Sequence, residues 1–184
     1  MKNTLYIIGI ILLLWSATQT VYPQQGTRNE LSPQIVNYGL EFIKAKEGYR
    51  GVAYRDPVGI WTIGYGHIAT AKAGMRITKI QGEQLLRKDV RRFEKYVWRK
   101  SNRILEKHQF AALVSFTYNL GYVLKNGLLR GIQTNNNALV TYKMNLYIYA
   151  GGRVLRGLVI RRKEESEIYI GSKEIIRRYS KCKK

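Results

Sequence analysis

Val36, Leu40 and Ile43 recur at spacings of four and three, and the same row continues to Glu47. That row is one face of an α-helix. Ser32 before Pro33 offers an N-cap and a first-turn proline, and Gly48 a stop, so the pattern predicts a helix that closes at Glu47. From residue 51 to 66 the period changes. Tyr54, Ile60, Trp61, Thr62 and Ile63 favour strands, and Asp56-Pro57-Val58-Gly59 between them is a turn signal, which together predict a small hairpin. Thr78 and Gln81 form a capping-box pair, opening a helix whose Leu86, Val90, Phe93 and Val97 again run at four, three and four. Residues 109–122 are apolar nearly all round, as a helix at the centre of a core must be, with Gly121 as its stop. After a glycine-rich loop over 150–157, residues 158–169 read as a helix in which Arg161 and Arg162 precede Glu164, Glu165 and Glu167. That order opposes the helix dipole, so the arginines call for another reason to be there. The rest of the chain reads as mainly helical.

Residues 5–15 are continuously apolar and follow Lys2. Such a run is shorter than the roughly 20 residues that span a bilayer, so the expectation is an export signal, with a signal-anchor as the alternative. Residues 22–29 are polar and contain Pro23 and Gly26, and read as a linker. The predicted organisation is therefore a signal segment plus linker over 1–27 and a single domain over 28–184, whose small sheet-containing lobe occupies about 48–80. At 184 residues the chain suits one buried core.

Lys plus Arg number 32 against 12 Asp plus Glu, a formal charge of +20, and the N-terminal 27 residues hold just one charge, Lys2. The positive field thus belongs to the folded domain and favours anionic polymers or surfaces. Its single cysteine, Cys182, rules out an internal disulfide, and two histidines with one cysteine lack metal-ligand spacing. Neither a metal nor a cofactor is expected.

Because acids are scarce, Glu47 and Asp56, nine residues apart, and Thr62 six further on are the place to look for chemistry. Glu47 ends an apolar stripe at the negative end of a helix, where burial and dipole favour the protonated acid. Two carboxylates in different surroundings suit hydrolysis of a sugar bond, one as acid and one ionised. His67 is a tempting base, but Asp89 lies toward the buried face of its helix and needs a partner. A structural ion pair between His67 and Asp89 is the expectation.

The run Glu47-Gly-x-Arg, then Tyr54-x-Asp-x-x-Gly-x-x-Thr-x-Gly-x-Gly-His67, resembles the phage-type lysozymes or endolysins of glycoside hydrolase family 24. Further matches are Ile77-Thr-Lys79 ahead of Asp89, residues 109–121, and Tyr149-Ala-Gly-Gly-Arg153 with Gly157-Leu-Val-x-Arg-Arg162. The resemblance covers nearly everything after residue 35. It implies an α+β, mainly helical, two-lobed lysozyme fold and cleavage of the β-1,4 bond between N-acetylmuramic acid and N-acetylglucosamine in peptidoglycan. It further implies Glu47 as general acid, Asp56 as the carboxylate that activates water, Thr62 as the hydroxyl that helps hold that water, and inversion at the anomeric carbon. Asn119 and Arg162 match substrate-binding positions, with Arg161 an alternative partner for Glu47 or the substrate. Tyr147 is expected in the core. The implied partners are peptidoglycan and an anionic membrane surface, with no nucleic acid, for a monomer exported to the periplasm or beyond. The rival from another class is a non-enzymatic cationic protein that binds membranes or nucleic acid on a lysozyme scaffold.

Overall fold

The structure, a computed structural model, describes residues 34–181. The apolar N-terminal segment, the linker, the Ser32–Pro33 cap and Cys182 lie outside the described residues. Among the described residues no helix is long and apolar enough to cross a membrane.

Helix α1 (Asn37–Glu47) buries Gly39, Leu40, Phe42 and Ile43 and is stopped by Gly48, whose φ of 68° suits a residue without a Cβ. It begins at Asn37, later than a cap at Ser32 implies, because residues 34–36 are non-helical and the Ile35 N–H donates to Glu94 Oε1 at 2.7 Å.

Strands β1 (Arg50–Arg55) and β2 (Trp61–Gly64) pair antiparallel around residues 56–60. Residues 75–77 lie along the other edge of β1, through the Val52–Arg76 bridge and the bonds Ala53 N–H to Met75 O and Ile77 N–H to Gly51 O. The 23-residue α2 (Lys79–Ser101) then opens with the predicted capping box of Thr78 and Gln81 and buries Leu86, Val90, Phe93 and Val97. Its successor α3 (Lys107–Leu120) carries nine consecutive buried residues from Gln109 to Thr117. A helix buried on every side must satisfy its own polar groups. Thr117 does so by donating back to Leu113 O at 2.8 Å.

Around α3 pack α1, α2 and α6 (Arg156–Tyr169), preceded by α4 (Asn126–Gln133), α5 (Asn137–Asn145) and a two-residue hairpin, β3 (Tyr149–Ala150) with β4 (Arg153–Val154). That hairpin occupies the stretch expected as a plain loop. Tyr147 packs edge-on against Phe116 at 5.2 Å, in keeping with a place at the core's margin. The final α7 (Lys173–Ser180) closes over α1, where Tyr179 meets Phe42 edge-on at 4.9 Å.

Candidate functional site

Glu47 is the last residue of α1, and its side chain is 21% exposed. Its Oε1 accepts a hydrogen bond from Arg161 Nη1 at 2.7 Å. The other oxygen lies beside Gly66, since a Cβ built there would stand 4.0 Å from Glu47 Oε2 and 3.8 Å from the Tyr118 phenol oxygen. Tyr118 donates to Tyr65 O at 2.9 Å, and burial holds its phenol well above the ordinary tyrosine range. Glu47 therefore has one oxygen held by a cation and the other beside the turn that follows β2. Its neighbourhood is more polar than an apolar stripe alone suggests.

That turn, residues 63–67, is closed by paired backbone bonds between Ile63 and His67, with Gly64 and Gly66 at φ of 65° and 90°. His67 is 3% exposed. The Thr70 backbone N–H can only donate, and it lies 3.1 Å from His67 Nε2. We therefore assign the ring proton to Nδ1, which donates to Asp89 Oδ2 at 2.7 Å. The Thr70 hydroxyl completes the set, 2.8 Å from Nε2. The two side chains anticipated as partners thus meet, His67 Nδ1 against the buried Asp89 carboxylate. Their contact joins the small sheet region to α2. Removing Asp89 orphans a buried ring N–H, so Asp89→Ala is expected to lower stability by about 2 kcal/mol while the folded fraction keeps its specific activity. Denaturant titration beside an activity assay checks both halves.

Asp56 and Thr62 flank the tip of the β1–β2 hairpin and hang from one carbonyl. Ile60 O accepts from the Asp56 N–H at 2.9 Å and from Thr62 Oγ1 at 3.2 Å. Asp56 Oδ1 in turn accepts from the N–H groups of Val58 at 3.0 Å and Ile60 at 2.8 Å, an Asx-type turn that fixes the carboxyl. Its Oδ2 has no hydrogen-bond partner among the described residues. Thr62 is 4% exposed and has its proton directed at Ile60, which leaves the hydroxyl lone pairs as acceptors. Two acceptors fixed to one carbonyl can take both protons of a water molecule and leave its lone pair free.

Beneath Glu47 lies a buried network that the order of charges in α6 hinted at. Arg161, 5% exposed, donates from Nη1 to Glu47 and from Nε to Glu165 Oε1 at 3.1 Å. Glu165 is fully buried and also accepts from Ser115 Oγ at 2.7 Å. Burial pushes the Glu165 carboxyl up, against the downward pull of Arg162, Arg161 and the Ser115 hydroxyl, so its charge depends on those three neighbours. Burial also lowers Arg161, but Glu165 and Glu47 outweigh it and hold the guanidinium above its usual range.

Arg162 stands differently. Burial lowers it, with Glu165 only partly opposing. Its Nη1 lies 3.1 Å from Glu165 Oε2 without hydrogen-bond geometry, and its Nε is likewise unbonded. Its guanidinium sits 4.8 Å from the centre of the Phe116 ring, and Nη2 donates to Asn119 Oδ1. At 0% exposure Arg162 cannot touch a substrate, which corrects that expectation. It acts on Asn119 instead. By taking Oδ1 it sets the amide so that its NH₂ points away from the arginine. Glu165 and Ser115 were missed by sequence reasoning, although Glu165 stands four after Arg161 and three after Arg162, the spacing at which helical charges meet.

This geometry can be set beside known proteins. The model of the phage lysozyme family matches residues 44–165, a stretch that opens just before Glu47 and closes on Glu165. The endolysin of Bacillus phage PZA is 35% identical over 141 residues, covering 74% of this chain and 55% of that relative. The chain thus spans a little over half the length of that curated relative, and 59% of the 34% identical endolysin of Bacillus phage B103. The SAR-endolysin of Enterobacteria phage PA-2 is 30% identical, with 66% of this chain and 76% of the relative covered. Among solved structures, the endolysin from Escherichia coli O157:H7 phage FAHEc1 superposes with a TM-score of 0.71 at 34% identity, covering 76% of this chain and 95% of that one. The muramidase domain of SpmX from Asticaccaulis excentricus gives 0.70 at 32%, over 74% and 97%. With the family's pattern spanning Glu47, the β1–β2 turn, the His67–Asp89 pair and the α6 arginines, and an endolysin fold matched over 76% of the chain, this chain belongs to the phage lysozyme family.

Proposed function

We propose that the protein is an exported muramidase that hydrolyses the β-1,4 bond between N-acetylmuramic acid and N-acetylglucosamine in peptidoglycan. Family membership, the endolysin relatives and the muramidase neighbour support the substrate class. The SAR-endolysin relatives and the apolar N-terminal run support export. The observation that carries the mechanism is that the two acids sit in different surroundings. Glu47 has one oxygen clamped by Arg161 and the other beside Gly66, whereas Asp56 and Thr62 hang together from Ile60 O.

In this reading the proton that Glu47 donates leaves from Oε2, because Oε1 is occupied by a donor. Glu47 passes that proton to the glycosidic oxygen as the bond to the anomeric carbon breaks. Asp56 Oδ2 and Thr62 Oγ1 accept the two protons of a water, which attacks the far face of the sugar, and Asp56 takes up the proton released. Charge balance holds throughout, with Glu47 ending ionised beside Arg161 and Asp56 ending protonated. A water held between base and sugar, with no covalent glycosyl intermediate, inverts the anomeric centre. Asn119, oriented by Arg162, offers its amide N–H groups to the substrate.

Digestion of purified peptidoglycan tests the substrate assignment. Fragments with a new reducing N-acetylmuramic acid end, identified by borohydride reduction and mass spectrometry, are expected. New ends at N-acetylglucosamine, or cuts only in the peptides, would overturn it.

A further inference from the structure

The solvent face of α2 carries a feature that hydrolysis does not use. All three acids of this helix turn to partners of their own. Glu83 accepts from Lys44 Nζ at 2.7 Å, Asp89 from His67, and Glu94 from the Ile35 N–H and from Arg91 Nη1, both at 2.7 Å. Between Arg87 and Arg99 every exposed residue of α2 is a cation: Arg87, Lys88, Arg92, Lys95 and Arg99. At 3.6 residues per turn Lys88, Arg92, Lys95 and Arg99 share one flank, opposite Leu86, Val90, Phe93 and Val97, with Arg87 roughly a quarter turn to the side. The five span about 18 Å, with at least one cation on each turn. Among the described residues none of the five forms an ion pair. Like charges at spacings of three and four, as in Lys88–Arg92–Lys95–Arg99, destabilise a helix, and an ordinary surface mixes its signs. An anionic ligand laid along the helix would relieve this repulsion.

We propose that this face is a docking surface for a linear phosphodiester polymer of the cell wall, of the poly(glycerol phosphate) type. The inference rests on the muramidase reading only for the place where the enzyme would meet such a polymer. Three of the five cations are arginines, whose planar guanidinium groups take phosphate oxygens in pairs. A straight row of cations fits an extended chain that carries one phosphate per short repeat. A bilayer fits less well. An interfacial helix needs an apolar face to insert, but that of α2 is buried, and no large exposed apolar residue lies between Ile80 and Ile104. Single-stranded nucleic acid also fits less well, because its sequence-independent binding adds aromatic stacking platforms. Tyr96 and Trp98 of α2 are half-buried, and Phe93 is buried, lying 4.9 Å from the Arg92 guanidinium; the exposed Tyr122, packed on Phe93 and Tyr96, offers one ring rather than a series.

The test measures binding of fluorescent poly(glycerol phosphate) to the full chain across a salt series. The rail variant R87Q/K88Q/R92Q/K95Q/R99Q is compared with K125Q/R130Q/K163Q/K173Q/R177Q, which removes the same charge from α6, α7 and around α4. The rail variant is expected to bind at least 30-fold more weakly at low salt, and its slope of log affinity against log salt to flatten by about 3.5, while the control loses less than fivefold. Equal losses in the two variants would overturn the proposal in favour of net charge alone. So would rail-dependent binding that is stronger to anionic-lipid vesicles or to single-stranded DNA than to the polymer. Cleavage of soluble glycan fragments should survive in the rail variant. If no protein cleaves them, the muramidase reading fails, whereas the docking result stands or falls on the polymer alone.

Discussion

Glu47→Gln is expected to abolish turnover, with kcat on peptidoglycan falling about a thousandfold or more, while the fold is kept. The size follows from the role proposed for the group. Positioned proton transfer accounts for roughly 10²–10⁴ in rate, and a sugar leaving group expelled without its proton has no other donor at hand. Arg161 holds Glu47 Oε1, the Tyr118 phenol is pushed further from acidity and already donates to Tyr65 O, and Glu165, the other carboxyl on Arg161, is fully buried. None of the three can replace Glu47 as the acid. The glutamine amide oxygen can still accept from Arg161 Nη1, and Arg161 keeps Glu165, so the substitution removes the proton and leaves the scaffold. The melting temperature measured beside the rate separates the two. A lysis rate near the parent's would mean that charge rather than acid catalysis dissolves the wall, which is the rival reading of a cationic binding protein.

The largest effect on stability belongs to a residue that never meets substrate. Glu165→Leu leaves Arg161 and Arg162, 5% and 0% exposed, with one carboxylate fewer between them. A buried ion pair adds little over a well-packed apolar substitute, but half of one is costly, so the loss should be about 3–5 kcal/mol. For a chain of this size that lowers the melting point by roughly 6–20 °C, and it consumes much of the 5–15 kcal/mol typical of a domain. Arg162 should suffer more than Arg161. Arg161 retains Glu47, whereas Arg162 falls back on Asn119 and the face of Phe116. The double variant Glu165→Leu with Arg162→Met should therefore recover most of the loss, because the cation left without a counter-charge is gone. Calorimetry on the three proteins checks this, and additive losses would show that the two residues do not depend on each other.

Much of the site was legible because its pieces lie close in sequence. Glu47, Asp56, Thr62 and His67 fall within 21 residues, joined by one helix end, one Asx turn and one glycine-supported turn, and short-range rules describe each of these. The stripes on α1 and α2 and the all-round burial of α3 were readable for the same reason. What escaped depends on contacts far apart in the chain. Ser115–Glu165 joins residues 50 apart and Ile35–Glu94 residues 59 apart, whereas the Arg161–Glu47 bond, between residues 114 apart, was anticipated only through the family resemblance. Arg162 was misread because matching a motif position does not reveal whether a side chain points into a core. The short α4, α5 and α7, of eight or nine residues, carry too few turns for a clear period and formed only a general helical expectation.

The account turns on a water held by Asp56 and Thr62 rather than on a covalent bond to Asp56. Proton NMR of the first reducing ends released from peptidoglycan or a soluble glycan fragment, recorded before the anomers equilibrate, reads this directly. A product that starts as the α-anomer, drifting later toward the equilibrium mixture, is the result predicted. A product that starts as the β-anomer would mean retention through a glycosyl-enzyme and would contradict the arrangement proposed for Asp56 and Thr62.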